Sequence, residues 1–301
     1  MLHPKLIELE NQFNPSPLTQ LFDPLLAQKQ LELWIKRDDL IDPVISGNKW
    51  RKLKYILDHA LKMKAHTIIS MGGAYSNHLH ALAFVGKQLK LKTVGYIRGE
   101  RPKHFSPTLQ DLESWGMELR FVSRTDYREL RQFKHCDDLP LIEKGQYWLP
   151  EGGATELALQ GVAELVCEID GVFDVLCVPC GTGTTLAGLI PAVPSNCNVQ
   201  GFAALKGASF LMTEVEALLS NKAYANWSIQ LDYHFGGFAK TNNELLLFID
   251  AFNQQHAVEL DPVYTGKMFY GLFDLIKQDY FKPQQKIVAI HTGGIQGKRS
   301  M

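Results

Sequence analysis

Apolar runs of β-favouring residues alternate with helical patterns along most of the chain, and this alternation restricts the possible folds more than any other feature. The strand-like runs are LELWIKRDD, HTIISMG, KTVGYIRG, ELRFVS, DVLCVPC, NVQGFAAL, SIQLDYHF and KIVAIHTG. Strands separated by helices are typical of a parallel sheet with helices on its faces. The sequence therefore predicts an α/β protein with open, twisted, mostly parallel sheets flanked by helices.

A helix is predicted to begin at the tripeptide Gly47-Asn48-Lys49, which follows the first strand-like run. Apolar residues recur at helical spacing at Trp50, Leu53, Ile56, Leu57, Ala60 and Leu61. The other face of this helix carries Arg51, Lys52, Lys54 and Asp58. Lys49 therefore stands at the start of an amphipathic helix.

The length of the chain indicates two structural units. With 301 residues, of which 46% are hydrophobic, it can form a sizeable core that divides into two subdomains. No repeat, low-complexity tract or Ser/Gly-rich linker marks a boundary. Because the candidate site motifs lie before about Lys49 and after about Gly181, we expect residues 50–160 to form a small domain inserted in a larger one. The larger domain would comprise residues 1–49 and 161–301, and the site would lie in the cleft.

Charge and composition exclude several classes of partner. The net charge of -1 provides no polybasic surface for nucleic acid or anionic membranes. No stretch approaches the ~18 apolar residues of a membrane span, and the N-terminal residues lack a secretory pattern. An odd number of cysteines, five, indicates reduced thiols. We therefore expect a cytoplasmic protein that binds neither nucleic acid nor membrane.

Two pairs of potential metal ligands have a simpler structural interpretation. Cys177 and Cys180 form a C-x-x-C motif, but they lie in a strand-like run whose alternation directs the two sulfurs to opposite faces. His78 and His80 are two residues apart on a predicted helix and do not share a face. The sequence predicts no metal site, and Cys177, Cys180 and His80 are interpreted as structural.

The lysine of the tripeptide has features of a carbonyl-binding amine. Most lysines are solvated surface groups, but Lys49 heads a helix, where the positive end of the dipole and desolvation both lower an amine pKa. A lowered pKa increases the fraction of free amine, which Schiff-base chemistry requires. Lys49 is therefore a candidate for holding a carbonyl cofactor.

The segment CGTGTTLAG, from Cys180 to Gly188, is a candidate phosphate-binding loop. It follows an apolar strand and opens a helix, so that backbone amides and threonine hydroxyls face the strand end. A tight turn with threonine caps would give the same pattern. Two familiar nucleotide motifs fail: Leu186 replaces the third glycine of G-x-G-x-x-G, and no Gly-Lys follows as in a P-loop. NAD and ATP are therefore disfavoured.

Together with GGAYSNH and HTGG, these motifs resemble one family over nearly the whole chain. They are similar to the fold-type-II pyridoxal phosphate (PLP) enzymes of the 1-aminocyclopropane-1-carboxylate (ACC) deaminase and D-cysteine desulfhydrase group, with a tryptophan synthase β-like fold. The motifs that carry the resemblance are IKRDDLIDPVISGNKWRKL, SMGGAYSNHLHALA, LPEGG, CGTGTTLAG, DPVYTGK and IHTGG. The resemblance implies PLP bound in the larger domain, a small amino-acid substrate and a homodimer.

The resemblance also implies roles for individual residues. Lys49, Ser76 and Tyr264 would be catalytic: Lys49 would bind PLP covalently and later move the Cα proton, and Tyr264 would flank the ring. Asn77 would bind the ring hydroxyl oxygen, and Thr292, or else Thr265, would face the pyridine nitrogen. Phosphate would be held by Lys52, Thr182, Gly183, Thr184 and Thr185. Substrate would contact Tyr75, Ser76, Asn77, His78 and Phe238.

Differences from the family pattern bear on the substrate. ACC deaminases resemble the chain but carry Glu at the position of Thr265 and an apolar residue at the position of Thr292. Tyr75 replaces a glutamine usual in both branches, and Phe238 stands near a usual tyrosine, although both aromatic residues can also be explained by packing. We expect α,β-elimination or deamination of a small amino acid, with D-cysteine the leading substrate and ACC the second. A PLP-binding protein with little catalysis and an anion-binding protein without PLP are the alternatives.

Overall fold

The computed structural model describes residues 1–45, 47–140, 142–220 and 222–300, and its strands form two sheets. The larger sheet has six strands in the order β1-β2-β10-β7-β8-β9, with β1 antiparallel to β2 and the other neighbours parallel. Its strands are β1 (Leu18–Leu21), β2 (Glu32–Lys36), β7 (Val175–Cys180), β8 (Asn198–Ala203), β9 (Trp227–Gln230) and β10 (Lys286–Ile290).

The smaller sheet has four parallel strands in the order β5-β4-β3-β6. They are β3 (Thr67–Gly72), β4 (Lys92–Arg98), β5 (Glu118–Val122) and β6 (Gln146–Leu149). All the strand-like runs named from the sequence contain strands, which confirms the α/β class with mostly parallel sheets. Strands β1 and β6 were not predicted: each has four residues, and unlike the equally short β9, whose run SIQLDYHF continues the alternation beyond the strand, neither belongs to a longer alternating run.

Helices cover both faces of the larger sheet and at least one face of the smaller one. The helices are α1 (Pro4–Glu10), α2 (Pro24–Lys29), α3 (Asn48–Lys62), α4 (Asn77–Leu89), α5 (Pro107–Ser114), α6 (Arg124–Leu130), α7 (Glu156–Cys167), α8 (Thr184–Leu189), α9 (Phe210–Leu218), α10 (Asn243–His256) and α11 (Thr265–Lys277). On the larger sheet, α7, α8 and α9 pack on one face and α2, α10 and α11 on the other. Within the described ranges, no helix is long and apolar enough to cross a membrane.

The two cysteines of the C-x-x-C motif lie on opposite faces of β7, as the alternation predicts. Cys177 belongs to the apolar cluster beneath α11, whereas Cys180 belongs to the cluster beneath α8. Both thiols are free and buried. Among the described residues, no group of three or more His, Cys, Asp or Glu side chains is placed to hold a metal.

The strands of the smaller sheet lie between residues 67 and 149, and those of the larger sheet lie outside this range. Helix α3 packs with the apolar cluster of the smaller sheet through Trp50, Leu53 and Ile56, and it also lies against α7, which covers the larger sheet. The domain boundaries near residues 50 and 160 stay a prediction.

The polar face of α3 is buried rather than directed to solvent. Arg51, Lys52 and Asp58 are each less than 10% exposed. The Arg51 guanidinium forms salt bridges with Asp38 and Glu168, so the helix is tied by charge to the segment after β2 and to the residue that follows α7. The helical pattern predicts which residues share the polar face of α3, but it does not predict that a second helix, α7, packs against this face.

A glycine at the start of α3 permits very close contact with the end of β10. Gly47 has a φ of +70°, and its N–H donates to the Asp38 carbonyl at 2.7 Å. A Cβ at this position would lie 1.8 Å from the Thr292 carbonyl oxygen. Only glycine fits this conformation and this space. The first turn of α3, with Lys49, is thereby held at the carboxyl edge of the larger sheet.

The contact between α3 and α7 yields a stability prediction. Gly161 lies within α7, where alanine would normally favour the helix by about 1 kcal/mol. A Cβ there would lie 1.9 Å from the Arg51 carbonyl oxygen. We therefore expect Gly161→Ala to lower the free energy of unfolding by about 1–3 kcal/mol because the two helices must separate. Urea denaturation measures this.

Gly73→Ala is the matched control, because a Cβ at Gly73 would meet nothing within 4 Å. It should leave the free energy of unfolding within about 0.5 kcal/mol of the wild-type value. A Gly161→Ala protein as stable as the wild type would contradict the close packing of α3 on α7.

Candidate functional site

The residues predicted to form the site gather where strands of both sheets end and helices begin. Lys49 lies in the first turn of α3, and Ser76 and Asn77 begin α4 directly after β3. Thr184 begins α8 after β7, and Thr292 follows β10. The carboxyl ends of parallel strands are the usual place for ligand sites in α/β folds.

Lys49 is a partly buried amine with one fixed hydrogen-bond partner. Burial lowers its pKa to about 8, although the negative charge of Asp261 partly opposes the shift. Its Nζ donates to Asn48 Oδ1 at 2.7 Å, and Asn48 Nδ2 donates to Thr185 Oγ1 at 2.7 Å. Asn48, which is 5% exposed, therefore links the lysine to the glycine loop. No sequence motif indicated this role for Asn48.

Lys52 lies one turn further along α3 and is also buried. Burial lowers its pKa well below the ordinary value, and repulsion from Lys49 lowers it further. Its Nζ donates a long hydrogen bond, 3.4 Å, to the Gly152 carbonyl. In the described part of the chain, neither Lys49 nor Lys52 forms a salt bridge with a carboxylate. A buried amine without a salt-bridge partner, as at Lys52, favours the binding of an anion beside it.

Two glycine loops converge next to Lys52. A Cβ on Gly152, in the LPEGG segment, would lie 2.9 Å from Thr182 Cγ2, so this loop lies directly against CGTGTT. The hydroxyls of Thr182 and Thr184 are 2.9 Å apart, and Gly183 has a φ of +72°. Hydroxyl groups, loop amides and a buried ammonium are the donors that a phosphate requires. The donor set therefore fits the phosphate of PLP.

The start of α4 presents polar groups to the same region. Ser76 is the N-cap, and its Oγ accepts from the Leu79 amide at 3.2 Å. Asn77 Oδ1 accepts from Gln296 Nε2 at 3.1 Å, which leaves the Asn77 amide nitrogen as the group free to donate. That nitrogen lies 2.7 Å from the position that a Cβ on Gly294 would occupy. Gln296 therefore orients Asn77, and no sequence pattern pointed to it.

His78 is fully enclosed behind the start of α4. The Ser70 hydroxyl donates to the Leu149 carbonyl at 2.7 Å and so must accept from His78 Nε2, 2.9 Å away. Burial and the nearby charges of Lys49 and Lys52 lower the pKa of His78 to about 3. The neutral ring thus carries its proton on Nε2, and Nδ1 is an acceptor without a partner among the described residues. A role for His78 in binding a substrate carboxylate stays a prediction.

Tyr264 and Phe238 meet at one wall of the site. A Cβ on Gly181 would lie 3.0 Å from Tyr264 Cε1, so the tyrosine ring covers the first glycine of the phosphate-binding loop. Burial raises the pKa of Tyr264, which therefore keeps its proton. Phe238 contacts Tyr264 edge to face, with 5.9 Å between the ring centroids. Tyr75, by contrast, is 56% exposed at the turn before α4.

The two threonines predicted to face the pyridine nitrogen differ in their surroundings. Thr265 Oγ1 donates to Asp261 Oδ2 at 2.6 Å, so its proton is already used. The same carboxylate accepts from the amides of Val263, Tyr264 and Thr265 and thereby fixes the start of α11. Thr292 is 7% exposed beside Gly47. Asp261 is a buried carboxylate that the sequence analysis missed, although it begins the DPVYTGK motif.

Comparisons with known proteins agree over nearly the entire chain. A family model described as pyridoxal-phosphate dependent enzyme matches residues 9–293. A Pyrococcus furiosus protein named putative 1-aminocyclopropane-1-carboxylate deaminase is 32% identical over 98% of this chain and 96% of its own length. An Arabidopsis thaliana protein named bifunctional D-cysteine desulfhydrase/1-aminocyclopropane-1-carboxylate deaminase is 31% identical over 88% of this chain and 73% of its own. A crystal structure of an ACC deaminase homologue has a TM-score of 0.79 at 32% identity, covering 99% of this chain and 97% of that one.

The buried amine of Lys49 predicts a pH dependence of stability in protein stripped of cofactor. Its pKa of about 8 in the folded state lies below the ordinary 10.5, so between these values the unfolded chain binds more protons. The contribution of Lys49 to the free energy of unfolding should therefore become more favourable as pH rises from about 8 to 10. Lys49→Met should remove this gain and stabilise the apoprotein at pH 7 by about 1–2 kcal/mol.

Denaturation at several pH values measures this difference, with the exposed Lys87 of α4 as the site of a control substitution. Lys87→Met should leave the wild-type pH dependence in place. A Lys49→Met protein with the wild-type slope above pH 8 would show that Lys49 is not buried as an amine.

Proposed function

Because the chain belongs to the family of pyridoxal-phosphate dependent enzymes, we propose that it catalyses α,β-elimination or deamination of a small amino acid, with D-cysteine as the leading substrate. Membership of the family confirms the resemblance, the enzyme class and the PLP cofactor that the sequence motifs predicted. In the leading reaction, D-cysteine and water give pyruvate, ammonia and hydrogen sulfide. ACC deamination is the second candidate, since relatives carry both names.

The two lysines one turn apart on α3, Lys49 partly buried and Lys52 buried, are the observation that most supports the proposal. Lys49 is a partly neutral amine near physiological pH, and Lys52 lies beside two glycine loops and two threonine hydroxyls. Lys49 is thus suited to bind a carbonyl carbon, and Lys52 is suited to bind a phosphate. PLP carries both groups. When bound, PLP supplies an electron sink for negative charge at the substrate Cα.

The side chains of the site have distinct tasks in this reaction. Lys49, once free, accepts the proton from the substrate Cα, because burial keeps part of it in the neutral form. Ser76, Asn77 and the amides at the start of α4 bind the substrate carboxylate, as anions bind at helix N-termini. Tyr264 lies against Gly181 and, because it retains its proton, can donate a hydrogen bond.

The surroundings of Thr292 and Thr265 favour D-cysteine over ACC. In the ACC deaminases that the sequence resembles, a glutamate stands at the position of Thr265. Here the Thr265 hydroxyl is bound to Asp261, so Thr292 is the remaining neutral hydroxyl for the pyridine nitrogen. A neutral partner leaves the ring largely unprotonated, which suits β-elimination.

We expect Lys49→Ala to abolish turnover while the fold is retained. Among the described residues, Lys52 is the one other lysine in the site, and it is assigned to the phosphate. The measurement is the absorption spectrum, titrated with D-cysteine, L-cysteine, D-serine and ACC, together with assays for pyruvate and 2-oxobutyrate. In the wild type, a band near ~410 nm should shift with D-cysteine and pyruvate should form. In Lys49→Ala, neither should occur.

The same assay separates the alternatives. 2-Oxobutyrate from ACC without pyruvate from D-cysteine would favour the deaminase. A band that no amino acid shifts would favour a PLP-binding protein with little catalysis. Full activity in purified Lys49→Ala would remove Lys49 from the mechanism.

Lys52→Met should weaken PLP binding by about 10–100-fold, because the phosphate loses its buried cation. Equilibrium titration of the apoprotein with PLP measures the dissociation constant, and Lys87→Met provides the control at an exposed lysine. Unchanged affinity in Lys52→Met would place the phosphate elsewhere.

A homodimer and a cytoplasmic location are also part of the proposal. The dimer is supported by the family resemblance and by large exposed apolar side chains such as Phe22 and Leu247, which are 77% and 69% exposed. The location is supported by five free thiols. Light scattering of the purified protein would contradict the dimer if it gave the mass of a single chain, 33.9 kDa.

A further inference from the structure

The segment after β9 has an unusual backbone. From Phe235 to Ala239, four of the five residues have positive φ: Phe235 at 51°, Gly236 at 92°, Gly237 at 124° and Ala239 at 54°. For phenylalanine and alanine this region is unfavourable, so other contacts must stabilise it. The segment His234–Lys240 is called the aromatic loop below, because it carries Phe238.

A buried lysine of α11 binds the carbonyl groups of this loop. Lys267 is 1% exposed, and its Nζ donates to the carbonyls of Gly237 at 2.7 Å, His234 at 2.9 Å and Ala204 at 3.3 Å. Ala204 immediately follows β8. The ammonium uses three donors on three convergent acceptors, which satisfies it without a carboxylate contact. Burial lowers its pKa to about 8, opposed by the charge of Asp261.

The loop and the lysine are both connected to Tyr264. Lys267 lies three residues after Tyr264, which is the N-cap of α11. Phe238 extends from the loop and contacts the Tyr264 ring edge to face. Phe238 is nevertheless 47% exposed, so little besides this contact and the loop backbone fixes its position. The lysine thus binds the backbone of the loop whose Phe238 forms one wall of the site with Tyr264.

We propose that Lys267 is a positioning residue that holds the aromatic loop closed over the site, so that Phe238 against Tyr264 limits the size of the substrate side chain. The proposal rests on the proposed function for its substrate, but the loop structure itself can be tested without any substrate. Without the ammonium, the carbonyls of His234 and Gly237 lose their shared donor, and the left-handed backbone is left with the local bonds from the Gly237 and Lys240 amides to these carbonyls, the bond from the Gly236 amide to His234 Nδ1 and the packing of Phe235 on Tyr270.

Trypsin provides the test of the loop, because Lys240 is exposed at its end. Lys267→Met should increase the rate of cleavage after Lys240, followed by mass spectrometry, at least about tenfold, since loop opening exposes the bond. Lys277→Met is the matched control: Lys277 lies exposed in the last turn of the same helix, and its removal should leave the cleavage rate unchanged. Cleavage of folded Lys267→Met at the wild-type rate would overturn the proposal.

A kinetic cycle tests the effect on substrate size and covers the case in which Lys267→Met fails to fold. Phe238→Ala, Lys267→Gln and the double variant are compared by the ratio of kcat/KM for S-methyl-D-cysteine to that for D-cysteine. Each single variant should raise the ratio about three- to tenfold, and the double variant should exceed neither, because both changes remove the same wall. Multiplicative effects would show that Lys267 does not act through Phe238.

The trypsin experiment and the kinetic cycle together distinguish the role of Lys267 from the proposed reaction. If the wild type turns over neither S-methyl-D-cysteine nor D-cysteine, the proposed function fails. The trypsin result then still decides whether Lys267 holds the loop. If D-cysteine is turned over but cleavage and the ratio are unchanged in the variants, the reaction stands and the role of Lys267 is refuted. The PLP absorption band should persist in all of these variants, because Lys49 and Lys52 are untouched.

Discussion

The close contact between the first turn of α3 and the end of β10 is the constraint on which the site depends. Gly47 leaves no room for a side chain beside Thr292, so the helix can begin only at this point of the sheet edge. Gly161 allows α7 an equally close approach to the Arg51 carbonyl. These two glycine contacts, together with the salt bridges of Arg51, set the position of Lys49 relative to the phosphate-binding loop.

Much of the fold could be predicted from the sequence, because the strands of a parallel sheet are apolar and long enough to be recognised. The runs that became β3 and β7 are buried at every position, and both were identified. β1 and β6 were missed because each is a four-residue strand outside any longer alternating run, whereas the equally short β9 begins the alternating run SIQLDYHF. The burial of Arg51 and Asp58 could not be predicted either, because helical periodicity describes one helix and carries no information about the second helix that covers its polar face.

The candidate site was predictable where a motif keeps its functional groups adjacent in sequence, as in CGTGTT and GGAYSNH. Supporting residues lie far from the groups they hold: Gln296 and Asn77 are separated by 219 positions, and Lys267 and His234 by 33. Such pairs leave no local pattern. Asn48 and Asp261 lie within the quoted motifs, yet their roles depend on Thr185 and on the amides of α11, which only the folded chain brings close.

Two opposing electrostatic effects set the pKa of Lys49. Burial lowers the pKa of the amine, whereas the charge of Asp261 raises it, and the resulting pKa is about 8. The Asp261 carboxylate is held in place by three amides and the Thr265 hydroxyl. In the proposed reaction, an amine that takes a proton from carbon and later returns it works best with a pKa close to the working pH. The turn that begins α11 therefore influences the electrostatics at the start of α3, although the two helices lie more than 200 residues apart in the chain.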